Sequence, residues 1–154
     1  MVRKIRKTDL LLIAILIIGI NLPLVVIEHY RERHGVSFFE GTWEEALETA
    51  SKENKPIFLN LYSSFCIPCK IMNSNTYPRR EAGDFFKTRY INFSVNRKST
   101  TGQKLSEWLK VEEYPALLIL DPTGDPVLRN VGKLSPGELV RFGKEGLERM
   151  NHHQ

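Results

Sequence analysis

The stretch Ile57-Phe58-Leu59-Asn60-Leu61-Tyr62-Ser63-Ser64-Phe65-Cys66-Ile67-Pro68-Cys69-Lys70 joins an apolar run to the only two cysteines of this 154-residue chain. Residues 57–62 form a short apolar run between turn-forming residues, which is typical of a buried strand. A helix is predicted to open at Cys66, because a first helical turn tolerates Pro68, whose missing N–H has no internal partner there. The two thiols are then one turn apart and can close and reopen a disulfide.

The two cysteines have different surroundings in this arrangement. Cys66 lies at the helix N-terminus, where free N–H groups and the positive end of the helix dipole favour a thiolate. We therefore expect Cys66 to be the nucleophile, with a pKa below the value of about 8.5 for a free thiol. Cys69 is one turn further in, and we expect it to resolve the mixed disulfide. Lys70 can add positive potential, or it can be an ordinary solvated lysine.

Other interpretations of the cysteine pair explain the sequence less well. A permanent structural disulfide would stabilise little, because the closed loop is so small. Haem attachment requires His after the second cysteine, where this chain has Lys70. Half a metal site would need distant ligands, and no metal site is predicted, because the four histidines lie at the extremities of the chain: His29, His34, His152 and His153. Two inert buried thiols would not need a helix N-terminus.

The charge distribution argues against nucleic-acid binding. The formal net charge is +4, but four of the basic residues precede residue 9, and the rest of the chain is nearly balanced. No basic stripe with interleaved aromatic residues occurs in the sequence, so we expect no nucleic-acid partner. Two cysteines are also too few for a disulfide scaffold.

The run 10–27 is uncharged over 18 residues. As a helix it would be about 27 Å long, which nearly matches a bilayer core. Its end, 24–27, has no small residue for signal peptidase, so an uncleaved signal anchor is favoured over a cleaved signal peptide. The preceding cluster of basic residues is expected to stay in the cytoplasm.

These features predict four segments. They are a cytoplasmic basic tip at 1–9, a transmembrane signal anchor at 10–27, a tether at 28–35 and a globular domain at 36–154. The predicted location is the cytoplasmic (inner) membrane, which the chain would cross once. The globular domain would then face the periplasm or another extracytoplasmic space.

The globular part alternates helical and strand patterns. A capping box of Thr42 and Glu45 opens a helix, and a further helix begins at residues 78–81. Residues 97–102 are polar and predict a loop, followed by a short amphipathic helix marked by Leu105, Trp108 and Leu109. The other predicted elements are strands at 57–62, 90–95, 116–120 and 126–131, the last of them an edge strand, and a final helix at 139–150. This order predicts an α/β sandwich with a central mixed sheet.

Three stretches resemble thioredoxin-like proteins. The stretch 66–70 resembles their active site, 114–120 is similar to their cis-proline strand, and 121–132 is similar to their terminal hairpin. Residues 43–47 and 54–57 are similar to exported or membrane-tethered members, including the terminal domain of the periplasmic disulfide-reductant transporter. The resemblance spans about residues 40–150, and it implies a thioredoxin-like fold and thiol–disulfide oxidoreductase activity.

The resemblance also implies the surroundings of the site. The Tyr114–Pro115 bond would be cis and pack beside the disulfide, and the substrate groove would be formed by Phe65, Ile67, Pro68, Tyr114 and Pro115. Two positions depart from the family. Phe65 stands where Trp is usual, and Asn60 stands where a buried acid often lies. An amide cannot take the proton of the resolving thiol, so proton transfer would need water or another group.

The expected partners are protein thiol or disulfide substrates, a redox partner protein, and the lipid bilayer through residues 10–27. No dissociable cofactor is expected, because the cysteines carry the electrons. Potentials in this fold run from about −270 to about −120 mV, so both directions of exchange fit the motif. Family analogy favours reduction, which would need a membrane electron donor. Two rival functions are a Cu(I) metallochaperone and a noncatalytic peptide-binding module.

Overall fold

The computed structural model describes residues 7–151, and the chain divides into two compact units, Met1–Arg33 and His34–Gln154. Most of the predicted basic tip, including Arg3, Lys4 and Arg6, lies outside the described residues, as do His152 and His153.

Helix α1 runs from Lys7 to His34 and includes the uncharged run and most of the predicted tether. Many of its large apolar side chains are exposed, from Leu10 to Val26. The side-chain amide of Asn21 donates a 2.6 Å hydrogen bond to the carbonyl oxygen of Ile17 within the same helix. Counting only the positions that the structure describes, no helix is long and apolar enough to cross a membrane. The transmembrane segment stays a prediction.

A four-stranded sheet forms the centre of the second unit. Its strands are β1 (Ile57–Tyr62), β2 (Ile91–Asn96), β3 (Ala116–Leu120) and β4 (Pro126–Val131), in the order β2-β1-β3-β4. β1 pairs parallel with β2 and antiparallel with β3, and β3 pairs antiparallel with β4. The predicted mixed sheet is therefore confirmed, and so is the edge position of β4.

Helices α2 (Trp43–Glu53) and α5 (Thr100–Trp108) contribute to the apolar cluster on one face of the sheet. Side chains alternate between the two faces of a strand, so Ile57, Leu59 and Leu61 of β1 point toward this cluster. Trp43 of α2 packs on Phe93 of β2, with ring centroids 5.3 Å apart.

The opposite face is covered by α4 (Arg80–Arg89) and α6 (Pro136–Asn151). Phe58 of β1 packs on Phe86 of α4, with ring centroids 4.7 Å apart. Tyr90 is buried here and donates a 2.5 Å hydrogen bond to the carbonyl oxygen of Gly143. Burial raises the pKa of its phenol, and Arg89 only partly offsets that rise. This phenol therefore stays neutral at physiological pH and acts as a hydrogen-bond donor.

Local sequence signals set several helix ends, but not the start of α5. The capping box of α2 is present as predicted, because Thr42 and Glu45 exchange hydrogen bonds. The predicted loop 97–102 is wrong in its second half, because α5 already begins at Thr100, with the hydroxyl of Ser99 accepting from the N–H of Gly102. Trp108 marks the end of α5 but not its buried face, since its side chain is half exposed.

Candidate active site

The cysteine pair lies directly beyond the C-terminal end of β1. Residues 63–66 lead into helix α3 (Ile67–Ile71), for which Cys66 is the N-cap residue and Pro68 lies in the first turn. The chain then continues as a π-helical turn, Met72–Thr76, which has no signal in the sequence. Cys66 and Cys69 are joined by a disulfide, with their Cα atoms 5.2 Å apart. Cys66 is half-buried and Cys69 is buried, so Cys69 is the more buried of the two, as the sequence predicts.

Two backbone groups surround the sulfur of Cys66. The N–H of Cys69 donates to Sγ of Cys66 over 3.0 Å. The carbonyl oxygen of Tyr114 lies 3.4 Å from the same sulfur. The Tyr114–Pro115 peptide bond is cis, and Pro115 is fully buried. Segment 114–115 therefore lies beside the disulfide, as the resemblance implies.

Gly132 holds the Pro115 end of segment 114–115. It has a φ of +94°, which glycine adopts without steric cost. Its N–H donates a 2.8 Å hydrogen bond to the carbonyl oxygen of Pro115. The end of the terminal hairpin thus holds the proline in place next to the cysteines.

The predicted groove residues form an apolar border around the disulfide. Phe65 is 82% exposed and Ile67 is 70% exposed, which is unusual for large apolar side chains next to a buried strand. Pro68 and Tyr114 are half-buried. The phenol of Tyr114 donates to the hydroxyl of Ser106 over 3.1 Å, which orients its ring. Exposed apolar surface of this kind marks sites that bind other molecules.

Sequence reasoning missed the residues that follow β2. Tyr62 of β1 and Asn96 of β2 are in register, so the segments after the two parallel strands lie side by side. Nζ of Lys98 lies 4.9 Å from the ring centroid of Phe65, and Cζ of Arg97 lies 5.3 Å from that of Tyr114. Their place follows from the parallel pairing of β1 with β2, which no local sequence signal gives.

Asn60 lies in the interior of β1, six residues before Cys66. It is 3% exposed, and its Nδ2 donates a 2.9 Å hydrogen bond to the hydroxyl of Ser94. Its Oδ1 has no hydrogen-bond partner among the described residues. It shares a face of β1 with Phe58, because the two positions differ by two residues. Lys70, the other predicted modulator, is exposed.

A family model described as a thioredoxin-like domain matches residues 43–146. This chain therefore belongs to the thioredoxin-like family, and the predicted resemblance and fold class are confirmed for the globular part. The fold together with the CxxC pair supports thiol–disulfide oxidoreductase activity and leaves the direction of exchange open.

Solved structures that are similar to this chain include the following two. A Bacteroides thetaiotaomicron protein assigned as a disulphide-isomerase is 30% identical, with a TM-score of 0.66, over 75% of this chain and 95% of that one. The C-terminal domain of Neisseria meningitidis DsbD, in its oxidised form, is 22% identical with a TM-score of 0.59, over 71% of this chain and 99% of that domain. The second likeness concerns the fold alone.

Among curated proteins, plant UBX domain-containing protein 7 of Arabidopsis thaliana is 28% identical over 103 residues. That match covers 66% of this chain and 22% of the plant protein. The chain thus spans less than a quarter of the length of this relative.

Proposed function

We propose that this protein is a membrane-anchored thiol–disulfide oxidoreductase that exchanges disulfides with extracytoplasmic protein substrates. The observation that carries the proposal is the environment of Cys66. Cys66 is half-buried, and its sulfur accepts the N–H of Cys69 over 3.0 Å and lies 3.4 Å from the carbonyl oxygen of Tyr114. An N–H donor stabilises a thiolate, and the thiolate is the form that attacks a disulfide.

In the reductive direction, the Cys66 thiolate attacks one sulfur of a substrate disulfide. This forms a mixed disulfide and releases the other substrate sulfur as a thiolate. The Cys69 thiolate then attacks Sγ of Cys66, which closes the Cys66–Cys69 disulfide and frees the second substrate thiolate. Two electrons pass to the substrate, whose thiolates take up two protons. The oxidative direction is the same sequence in reverse, starting from the disulfide form.

The groove residues position the substrate in this proposal. Phe65, Ile67 and Pro68 supply apolar contacts on one side of the disulfide, and Tyr114 and Pro115 do so on the other. Pro115 has no N–H, so the backbone beside it can pair with an extended substrate segment. No dissociable cofactor takes part in the exchange.

The membrane anchor is the uncharged run 10–27. The exposed apolar side chains of α1, from Leu10 to Val26, support this role, because apolar side chains are favoured in the hydrocarbon core of a bilayer. The hydrogen bond from Asn21 to Ile17 supports it too, since a polar side chain in a bilayer needs a partner within the protein. The basic residues before the run favour a globular domain outside the cytoplasm, because a basic flank tends to stay on the cytoplasmic side. A membrane-bound redox partner is then the natural source or acceptor of electrons.

The reaction is tested on the full chain in detergent. We expect the Cys66–Cys69 pair to titrate as a two-electron couple in a glutathione buffer series and to exchange with a disulfide-bonded peptide. The variant in which both cysteines are Ser is the control. Absence of exchange by the wild-type protein, at any poise of the buffer, would disprove the proposed activity.

The topology is tested separately in intact cells. A thiol reagent that cannot cross the membrane should label Cys66 in the Cys69→Ser variant without lysis. Labelling only after permeabilisation would place the domain on the other side of the membrane and contradict the proposed location.

A further inference from the structure

Two aromatic rings border the disulfide, and a cation lies against each of them. Nζ of Lys98 is 4.9 Å from the ring centroid of Phe65, the residue before Cys66. Cζ of Arg97 is 5.3 Å from the ring centroid of Tyr114, whose carbonyl oxygen lies beside the sulfur of Cys66. Both distances are within the range of cation–π contacts. Positive charge therefore borders the proposed groove at both of its aromatic residues.

Hydrogen bonds hold the backbone that carries this pair of cations. The N–H of Arg97 donates to the carbonyl oxygen of Tyr62 over 2.8 Å. The N–H of Lys98 donates to Oδ1 of Asn96 over 2.9 Å, and Nδ2 of Asn96 donates to the hydroxyl of Ser64 over 2.7 Å. Segment 96–98 is thus bonded to the end of β1 and to the loop that leads to the cysteines, so both long side chains start from a fixed backbone beside the site.

The charges of Arg97 and Lys98 are not neutralised. Both side chains are exposed, and in the range 7–151 neither forms an ion pair. Elsewhere, exposed lysines such as Lys52 do have a carboxylate partner. Glu112 and Glu113 precede Tyr114 and are exposed, but neither pairs with the two cations. The positive charge at the groove is therefore available to a bound molecule.

We infer that Arg97 and Lys98 select substrates whose reactive cysteine is flanked by Asp or Glu. This inference rests on the proposed function and adds the chemical class of the substrate segment. Carboxylates next to the reacting sulfur pair with the two cations, while basic side chains at the same positions are repelled. Exposed ion pairs are weak, so each cation changes the relative rate about two- to fivefold.

The test uses three disulfide-bonded peptides of equal length whose residues next to the cysteine are acidic, neutral or basic. With the full chain in detergent, we expect kcat/KM to fall in the order acidic, neutral, basic. Lys98→Gln and Arg97→Gln should each lower the ratio of acidic to neutral kcat/KM about two- to fivefold. Replacing both cations, Arg97→Glu with Lys98→Glu, should reverse the preference toward the basic peptide. Lys104→Gln, which removes an exposed lysine of α5, is the matched control and should leave the ratio unchanged.

Ionic strength gives a second readout that does not depend on any variant. The Debye length falls from about 30 Å at 0.01 M salt to about 3 Å at 1 M. The wild-type preference for the acidic peptide should therefore shrink toward unity at high salt.

Different outcomes separate this inference from the proposed function. If all three peptides are exchanged at equal rates, the charge selection is wrong and the oxidoreductase activity stands. If the Gln variants slow every peptide by the same factor, the cations act on the cysteines and not on the substrate, which also overturns the inference. If no peptide is exchanged, the proposed function fails and the inference fails with it.

Discussion

The N–H of Cys69 donates to Sγ of Cys66 over 3.0 Å, so the resolving residue also stabilises the sulfur that it will later attack. The same turn of α3 thus gives the two cysteines unequal roles. Cys66 is the partly accessible member of the pair, and Cys69 is 4% exposed. This asymmetry suits Cys66 for the attack on a substrate and Cys69 for the resolution step.

Replacing each cysteine by Ser should separate attack from resolution. Cys69→Ser should accumulate a mixed disulfide between Cys66 and a peptide substrate, because nothing remains to resolve it. Cys66→Ser should show no exchange, since the remaining thiol is buried. Non-reducing mass spectrometry of the two variants measures the adduct directly. An adduct that forms on Cys69 in the Cys66→Ser variant would reverse the assignment.

Asn60→Asp should raise the rate of mixed-disulfide resolution near neutral pH by about tenfold or more. Burial raises the pKa of a carboxyl group at this position, so that it can take the proton of the resolving thiol directly or through one water. Stopped-flow measurement of the resolution step compares the variant with the wild type.

The control for this change is Asn92→Asp. Asn92 is the other buried asparagine whose Oδ1 lacks a partner in the described part of the chain, and it is 4% exposed. Its side-chain amide donates to the carbonyl oxygens of Ser37 and Phe86. Asn92 lies on β2, and the cysteines follow β1. Its substitution should leave resolution unchanged. Equal rates for Asn60→Asp and the wild type would remove any role for this position in proton transfer.

Thr42→Ala should lower the free energy of unfolding by about 1 kcal/mol. The change removes the hydroxyl that accepts the N–H of Glu45 over 3.2 Å and so leaves a helix-terminal donor without its cap. Urea denaturation measures the loss, and Thr42→Ser should retain most of the stability because it keeps the hydroxyl. A Ser variant as unstable as the Ala variant would show that the methyl packing of Thr42 matters and not its cap.

Asp121 should contribute a pH-dependent part of the stability. Burial raises the pKa of its carboxyl, but hydrogen bonds from Thr123 and Asp125 outweigh that effect and hold it below its ordinary value of 3.8. A lowered pKa in the folded state means that the carboxylate stabilises the fold above about pH 4, and that this stabilisation disappears as the pH falls through the folded-state pKa.

Asp121→Asn should therefore destabilise the protein at pH 7 by less than about 1 kcal/mol, because the group is largely solvated. The difference from the wild type should narrow as the pH is lowered toward 3. Thermal unfolding across this pH range provides the measurement, with Asp125→Asn as the control, because the Asp125 side chain accepts no hydrogen bond from the described residues. A stability difference that stays constant with pH would mean that the charge of Asp121 has no part in it.

Local sequence signals predicted the strands of the sheet well. β1 and β3 are short apolar runs between turn-formers, and their boundaries at 57–62 and 116–120 match the structure. The start of α5 is harder to predict, because residues 100–102 have weak helical propensity. The only local signal for this helix start is the N-cap residue Ser99. The π-helical turn after α3 has no sequence signature that separates it from an ordinary helix.

The cysteines and the cis-proline segment could also be predicted, because motif and resemblance place them together. Arg97 and Lys98 could not be, since their contacts with Phe65 and Tyr114 depend on which strands are neighbours and in what register. A polar run after a strand looks the same whether it faces open solvent or the border of an active site. Only the parallel pairing of β1 with β2 brings that run to the cysteines.

Strand β1 has a partner on each side, β2 and β3, and the cysteine pair begins four residues after its end. Amides in such a doubly paired strand open to solvent only in rare, large-scale fluctuations. Deuterium uptake should therefore be slowest in β1 and β3 and faster in the edge strand β4. A redox centre attached to the last part of the protein to open keeps its geometry while the outer elements of the fold open locally.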